Sequence, residues 1–255
     1  MAHAVYSSTN ALSPLLSKTA AAGFVLSLIA AGIAALAALG NRLDLWDFST
    51  ALLMLRFAVI GGLLSFAVSL AGSVITRPGT WRGGFRLSVL GLAISFIIVS
   101  VPLNWYAVAH QLPWIHDITT DTKDPPEFRA ILPLRAKAPN TTDYGGPEVA
   151  ALQHAAYPDV KPLTLFTPPD RAFDRALAVA RSLGWKIIDE DRKEGRIEAM
   201  DRTICFGFTD DIVIRVRPEN DGSRVDIRSV SRVGKSDLGT NAARIRKFLR
   251  KLSST

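Results

Sequence analysis

The stretch TAAAGFVLSLIAAGIAALAALGN, Thr19–Asn41, decides the architecture. It holds no Lys, Arg, Asp or Glu, and as a helix it is long enough to cross the hydrocarbon core of a bilayer. A core helix of a soluble protein seldom runs that far without a charge. A cleaved signal peptide is the competing reading, because AALAALG is rich in small residues. The segment before it is long and carries only Lys18, and further apolar stretches follow it, so an uncleaved first span is expected.

Two further stretches share the property, Phe57–Thr76 and the run from Leu87 as far as Asp117. Composition changes sharply beyond them. The chain of 255 residues carries 30 Lys+Arg and 23 Asp+Glu, a net charge of +7. Residues 1–112 hold eight of these charges: Lys18, Arg42, Asp44, Asp47, Arg56, Arg77, Arg82 and Arg86. The other 45 lie in residues 113–255, where 24 Lys+Arg face 21 Asp+Glu. The split excludes one uniform globular fold, a collagen-like chain and a wholly disordered chain. A single cysteine, Cys205, excludes an internal disulfide framework and a thiolate zinc cluster. The expected division is a three-span transmembrane domain over 1–112, an extended Pro/Asp-rich connector over 113–159, and an extracytoplasmic α+β domain over 160–255.

Loop charges set the expected orientation. RPGTWRGGFR, between the second and third stretches, holds Arg77, Arg82 and Arg86 and no acid. Positive loops stay in the cytoplasm. The N-terminus and this turn are therefore placed inside, and everything after the third span outside, in the cell (inner) membrane and facing the periplasm. Trp105, Tyr106 and Trp114 fall where an aromatic belt is expected. Arg56 and His110 are the ionisable residues closest to the spans, and both sit near span ends, where snorkelling accounts for them. No span carries a carboxylate, so a small-molecule transport component is only a second alternative. Gly32, Gly61, Gly62, Gly72 and Gly91 read as close helix contacts.

The connector is rich in Pro, Thr, Asp and Gly, and is expected to be extended, with at most one short helical turn before Pro158. His116, Asp117, Asp121 and Asp124 have the chemistry of oxygen- and nitrogen-donating metal ligands, but their spacing matches no known loop. The expectation is that the aspartates cap turns, with no metal and no cofactor.

Beyond it, KPLTLF reads as a short strand, and Pro168, Pro169 and Asp170 open a helix with Phe173, Leu177, Val179, Ala180 and Leu183 on its apolar side, ended by Gly184. WKIIDED, GRIEAMDRTICFGF, DIVIRVRP and SRVDIRSVSRV read as strands, with turns at Lys193–Gly195 and at Asn220, Asp221 and Gly222. A last helix runs from Ser236 and Asp237 to Leu252, with Leu238, Ala242, Ile245, Leu249 and Leu252 as its packed stripe. The order β-α-β-β-β-β-α implies an antiparallel sheet with helices on one face. Ile212, Ile214, Val216, Val225 and Ile227 face those helices, and Arg215, Arg217, Arg224, Asp226 and Arg228 point away.

IHDITTDTKDPPEF, YGGPEVAALQHAAYPDVKPL, GWKIIDED, FGFTDDIVIRVRP and SRVDIRSVSRVGKSDLGTNAARIRKF, taken in that order, resemble the family called domain of unknown function 1499. The likeness covers about residues 113–250. It implies a bacterial envelope protein, with relatives in plastids, and brings no catalytic residues. The element order also looks like the TATA-binding-protein-like topology, a likeness of fold that carries no function.

The densest polar cluster is the strand-to-helix turn around Gly234 and Gly239. Arg228, Arg232, Lys235, Ser236, Asn241 and Arg244 form a candidate anion site there, since a helix N-terminus offers free amides beside basic side chains. The competing reading caps the helix with Ser236 or Asp237 and pairs Arg228 and Arg232 with Asp210, Asp211 or Asp226. Ser231, Ser236, Asp237 and His154 hold hydrolase chemistry without a GxSxG elbow. Cys205, inside an apolar strand, reads as inert. An envelope enzyme around Ser236 and Asp237 is thus the first alternative. The leading reading is a non-enzymatic binding or accessory domain of the cell envelope, taking an anionic headgroup, a lipid or a partner protein. Membrane lipids and an envelope protein are the expected partners, and an outward domain of net charge +3 excludes nucleic acid.

Overall fold

A computed structural model describes residues 15–254 and divides the chain into two compact units, up to Asn104 and from Trp105 onward. In the first unit, β1 (Leu15–Leu16) pairs in parallel with β2 (Arg82–Gly83), and three long helices follow the apolar stretches: α1 (Lys18–Arg42), α2 (Phe48–Ile75) and α3 (Phe85–Gln111), whose last residues, from Trp105, belong to the second unit. Each is long and apolar enough to cross a membrane. Asp47 caps α2, its Oδ1 accepting from Thr50 N at 2.8 Å.

The buried faces of these helices are made of small residues at a spacing of three and four: Ala20, Gly23, Ser27 and Ala30 on α1, Ala58, Gly62, Ser65, Ser69 and Gly72 on α2, and Ser88, Gly91 and Ser95 on α3. That spacing keeps one narrow seam on each helix and lets backbones approach. A Cβ on Gly23 would lie 2.9 Å from Ser69 N, and one on Gly72 would lie 3.1 Å from Ala20 Cα. Ser65 Oγ donates to Gly23 O at 2.9 Å and receives Ser95 Oγ at 2.8 Å. The large residues point outward: Val25, Ile29, Phe57, Leu64, Phe96 and Ile97 are all exposed. Apolar side chains outside and small polar ones inside is the order lipid demands. Gly32 takes no part, with open space around its Cβ position.

The second unit is α+β. Its elements after α3 are β3 (Asp117–Thr119), a 3-10 turn at Leu132–Arg135, α4 (Gly146–Ala156), β4 (Leu163–Leu165), α5 (Pro169–Ser182), β5 (Lys186–Asp191), β6 (Arg196–Arg202), β7 (Thr209–Glu219), β8 (Gly222–Ser231) and α6 (Thr240–Ser253). The sheet order is β3-β8-β7-β6-β5, all antiparallel, and β4 pairs the same edge of β8 further along. Two turns are set by backbone conformation. Gly195 sits at φ 64 with Val216 O where a Cβ would be, and Asn220 takes φ 48 in the two-residue link between β7 and β8.

Residues 113–159 are no separate connector. They supply an edge strand, the 3-10 turn and the 11-residue helix α4, where one short helical turn was expected. Gly146 and Pro147 start α4, and Glu148 in its first turn suits the helix dipole. The buried Gln153 of α4 then extends the ladder beyond β3: Thr119 N donates to its Oε1 at 3.0 Å and its Nε2 donates to Thr119 O at 2.7 Å.

One sheet face carries the main core. Ile197, Ala199, Ile212, Ile214, Val216, Val225 and Ile227 meet Phe173, Leu177 and Ala180 of α5 and Ala242, Ile245, Phe248 and Leu252 of α6. Phe248 stacks on Trp185 with centroids 5.5 Å apart. Leu238, expected in that stripe, is exposed at φ 53, ahead of the helix start. The strand expected through TICFGF stops at Arg202. Thr203–Phe208 is a turn, closed by Gly207 N to Thr203 O at 3.0 Å and Phe208 N to Thr203 Oγ1 at 2.9 Å, and Cys205 is exposed on it rather than inert in a strand.

Candidate functional site

The other sheet face is covered by residues 117–142, and alternation fixes what it presents. Glu198 and Met200 on β6 face Val213 and Asp211 on β7, and Val213, Arg215 and Arg217 face Arg228, Asp226 and Arg224 on β8. A patch of Phe128, Ile131, Val213 and Val230 is apolar. Around it lie guanidinium and carboxylate groups in three clusters.

In the first cluster, the fully buried Asp226 accepts from Arg215 at 3.2 Å, Arg217 at 3.3 Å and Arg224 at 3.1 Å. Asp121 joins it, accepting from Arg224 Nη2 at 2.8 Å, and Asp124 accepts from Arg217 Nη1 at 2.9 Å. The Arg217 hydrogen bond holds the Asp124 carboxyl below the ordinary carboxylate range. In the second, Arg228 makes a two-pronged bond to Asp117, Nε to Oδ1 at 2.9 Å and Nη2 to Oδ2 at 2.7 Å. It also donates to Pro126 O and Thr142 O, and lies 5.4 Å from the Phe128 ring centre and 5.6 Å from that of Tyr144. Burial, with the Asp117 charge, pushes the Tyr144 hydroxyl up to about 12. In the third, Asp211 accepts Arg232 on both oxygens and pairs with buried Arg135 at 3.1 Å. Burial pushes the Asp211 carboxyl up and the Arg135 guanidinium down, and their mutual attraction opposes both shifts.

Glu198 anchors the start of the 3-10 turn. Fully buried, it accepts from Arg129 N at 2.8 Å, Ala130 N at 3.1 Å and Ile131 N at 2.9 Å, and it bonds Arg196. Beside it opens a cleft of about 390 Å³ lined by Asp124, Pro126, Glu127, Arg129, Glu194, Arg196, Val213 and Arg215. The Arg129–Glu194 pair at its mouth is exposed on both sides, as is Asp124.

The family model described as "Protein of unknown function (DUF1499)" matches residues 117–252, more than half of the chain. The chain belongs to the DUF1499 family. No curated protein matches it. The match begins at the first residue of β3 and ends in α6, so the DUF1499 domain includes the covering segment as well as the sheet and helices.

Within the DUF1499 domain, the residues singled out in sequence are brought together only in part. Arg228 is tied to Asp117 and Arg232 to Asp211, on the covered face. Arg244 lies on the helix face, where it donates to Asp210 at 2.7 Å, Asp201 at 2.9 Å, Ser229 at 3.1 Å and Asn241 at 2.5 Å. Asn241 is buried and bonds Ser229, Ser231 and His116 O. The amides at the start of α6 are taken by Asp237, whose carboxylate accepts from Gly239 N at 3.0 Å and Asn241 N at 2.6 Å. Burial raises the Asp237 pKa against those two bonds. Lys235 stays exposed, and Ser236 Oγ accepts from Leu238 N at 3.3 Å.

Asp117 and Asp121, considered beside His116 as metal ligands, are committed to arginines, and no group of three metal-binding side chains converges among the described residues. The hydrolase parts are also separated by their bonds: Thr122 engages His154 at 3.0 Å, and Asn241 engages Ser231. Sequence reasoning placed the arginines of β7 and β8 on the correct face, and its competing reading included Asp211 for Arg232 and Asp237 for the helix cap; it missed the acids of residues 117–124 as partners. The signal was present as a run of aspartates, Asp117, Asp121 and Asp124, ahead of strands rich in arginine.

Proposed function

We propose that this DUF1499 protein is a three-span membrane protein of the cell envelope whose second unit is an extracytoplasmic, non-enzymatic binding module for an anionic group. Support for the orientation is the excess of Arg77, Arg82 and Arg86 in the turn between α2 and α3. A reporter fused after Thr255 that is active only in the cytoplasm would reverse it. A TATA-binding-protein-like topology belongs to the same proposal. Its support is the run from β4 to α6, and it carries no function.

One observation carries the binding reading: the acids at the cleft, Asp124 and Glu194, are far more exposed than Asp117, Asp211 and Asp210, which hold Arg228, Arg232 and Arg244. Arg228, Arg232 and Arg244 are held by buried carboxylates, and breaking such a pair costs about 3–5 kcal/mol. Arg129–Glu194 lines the cleft with both members exposed, and the exposed Asp124 lines it while pairing with Arg217, whose other partners include buried Asp226; an exposed pair is worth about 0.2–1 kcal/mol. An incoming phosphate or carboxylate replaces an exposed acid at small cost and gains the arginines already oriented there. This reading puts the anion at the cleft rather than at the turn before α6.

The full chain in nanodiscs tests this. Saturating inorganic phosphate, compared with chloride at equal ionic strength, is expected to stabilise the second unit by about 2.7 kcal/mol at a hundredfold excess over Kd. Nanodiscs with anionic lipid and no phosphate form the second arm, separating a headgroup from a free anion. Arg129→Ala with Arg217→Ala abolishes the effect, and Arg246→Ala, on the exposed pair with Asp159, keeps it. Equal shifts in all three proteins, or none in either arm, would sink the reading.

A further inference from the structure

The turn between β6 and β7, Thr203–Phe208, reads TICFGF and is the most apolar loop of the second unit. Its two ends behave differently. Phe206 and Phe208 turn inward, stacked with ring centres 5.5 Å apart. Ile204, at the tip, is 87% exposed and Cys205 beside it is exposed. Arg202 at the base donates its Nε to Gly207 O at 3.1 Å, which fixes the turn. The tip thus presents an isoleucine and a thiol at the surface.

A second ring contact of Phe206 relates the turn to the end of α3. The Phe206 ring meets the indole of Trp105 edge-on, at 5.9 Å and 70°. Both residues belong to the second unit, and Trp105 lies in the last turns of α3, the end of the third apolar helix. Tyr106, next to it, is exposed. Tryptophan and tyrosine at the end of a membrane span sit at headgroup depth. A loop packed against that tryptophan is held at the same depth, and an arginine at its base with an apolar residue at its tip matches the boundary between headgroups and acyl chains.

We propose that Thr203–Phe208 is a lipid-contacting wedge that places Ile204 and Cys205 in the outer headgroup–acyl boundary beside the end of α3. The proposal rests on the membrane reading of α1, α2 and α3, and it is independent of the anion cleft. Its consequence is a second, non-covalent attachment of the DUF1499 domain to the bilayer.

Cys205 is the only cysteine in the chain, so the unaltered protein carries its own labelling site. The full chain, labelled there with an environment-sensitive fluorophore, is reconstituted into phosphatidylcholine vesicles with and without brominated acyl chains. The expected result is a blue-shifted emission that loses intensity in brominated vesicles and resists aqueous iodide. Ile204→Asp, at an exposed position, moves the emission back to the red. Emission at the aqueous position with iodide quenching overturns the proposal. Protection from iodide without bromine quenching also overturns it, and assigns the loop to a protein contact, a second copy of this chain included. Cys205→Ser with Ile97→Cys, on the outward side of α3, keeps the two readings apart. Bromine quenching at position 97 but not at 205 removes the wedge alone, and quenching at neither removes the membrane reading and the wedge with it.

Discussion

Removing the Asp117 carboxylate tests whether Arg228 is a structural clamp or a ligand contact. In Asp117→Ala the guanidinium stays buried and loses two of its four hydrogen bonds, those to Oδ1 and Oδ2, while Pro126 O and Thr142 O still accept. Uncovering one member of a buried pair costs about 3–5 kcal/mol, and the two remaining acceptors place the loss near 3 kcal/mol. Arg228→Met removes the other member. It strands the Asp117 carboxylate and leaves two carbonyls unpaired, so the cost rises to about 5 kcal/mol. For a unit of this size 1 kcal/mol moves Tm by roughly 2–4 °C, giving falls of about 6–12 °C and 10–20 °C. The double variant, which leaves no buried charge, costs less than the sum of the two. The assay is thermal unfolding of the full chain in nanodiscs, followed by near-ultraviolet circular dichroism. Tm values unchanged in both single variants, or purely additive losses, would refute the claim that Arg228 fastens residues 117–142 to the sheet.

Three other outcomes follow from the same geometry. Phe248→Ala empties the fully buried stack on Trp185 and is expected to cost about 3–5 kcal/mol in the same melt. Gly72→Val drives a branched side chain against the α1 backbone at Ala20, at a cost of about 1–3 kcal/mol, visible as a lower detergent concentration for unfolding of the helical unit. Asp159 is held below the ordinary carboxylate range by its hydrogen bond to Arg246, so this pair stabilises the fold above the ordinary carboxylate pKa and ceases to do so as the pH falls through the lowered value. The stability gap between the parent and Arg246→Ala is therefore small, under about 1 kcal/mol at neutral pH, and closes in acid; a gap that widens there contradicts the assignment.

The sequence made the large divisions readable for a physical reason: hydropathy over a span and period-two alternation are properties of single segments. The three apolar helices and the inward set Ile212, Ile214, Val216, Val225 and Ile227 needed no knowledge of the rest of the chain. Partnership was readable only nearby in the chain: Asp211 was one option for Arg232 and Asp237 for the cap of the last helix, and both are found. Arg228 was placed on the correct face, yet its acid lies over a hundred residues away in a segment whose prolines and aspartates read as extended. Gln153 bonds Thr119 from 34 residues on, in a segment read as nearly helix-free, which hid its ladder role; Arg228, Arg232 and Arg244 of the expected anion site are engaged by buried carboxylates. Asp237 was legible locally: a carboxylate next to basic residues competes for the very amides that make a helix start attractive to anions, and it takes them.

The pairing of β3 with β8 has a consequence for the order of assembly. Asp117 and Arg228 stand 111 residues apart, and β3 has no strand to join until β8 has been made. At about 5–20 residues per second, ribosomal synthesis separates the two by roughly 5–20 s. Throughout that interval β3 is a bare edge with Asp117, and with Asp121 and Asp124 just beyond it, uncompensated, and the arginines that neutralise them come later in the chain. Those aspartates keep the waiting edge soluble and discourage pairing with a neighbouring nascent chain. The acidic run after α3 thus serves twice, first as a guard on an unfinished sheet and then as half of the lattice that closes it.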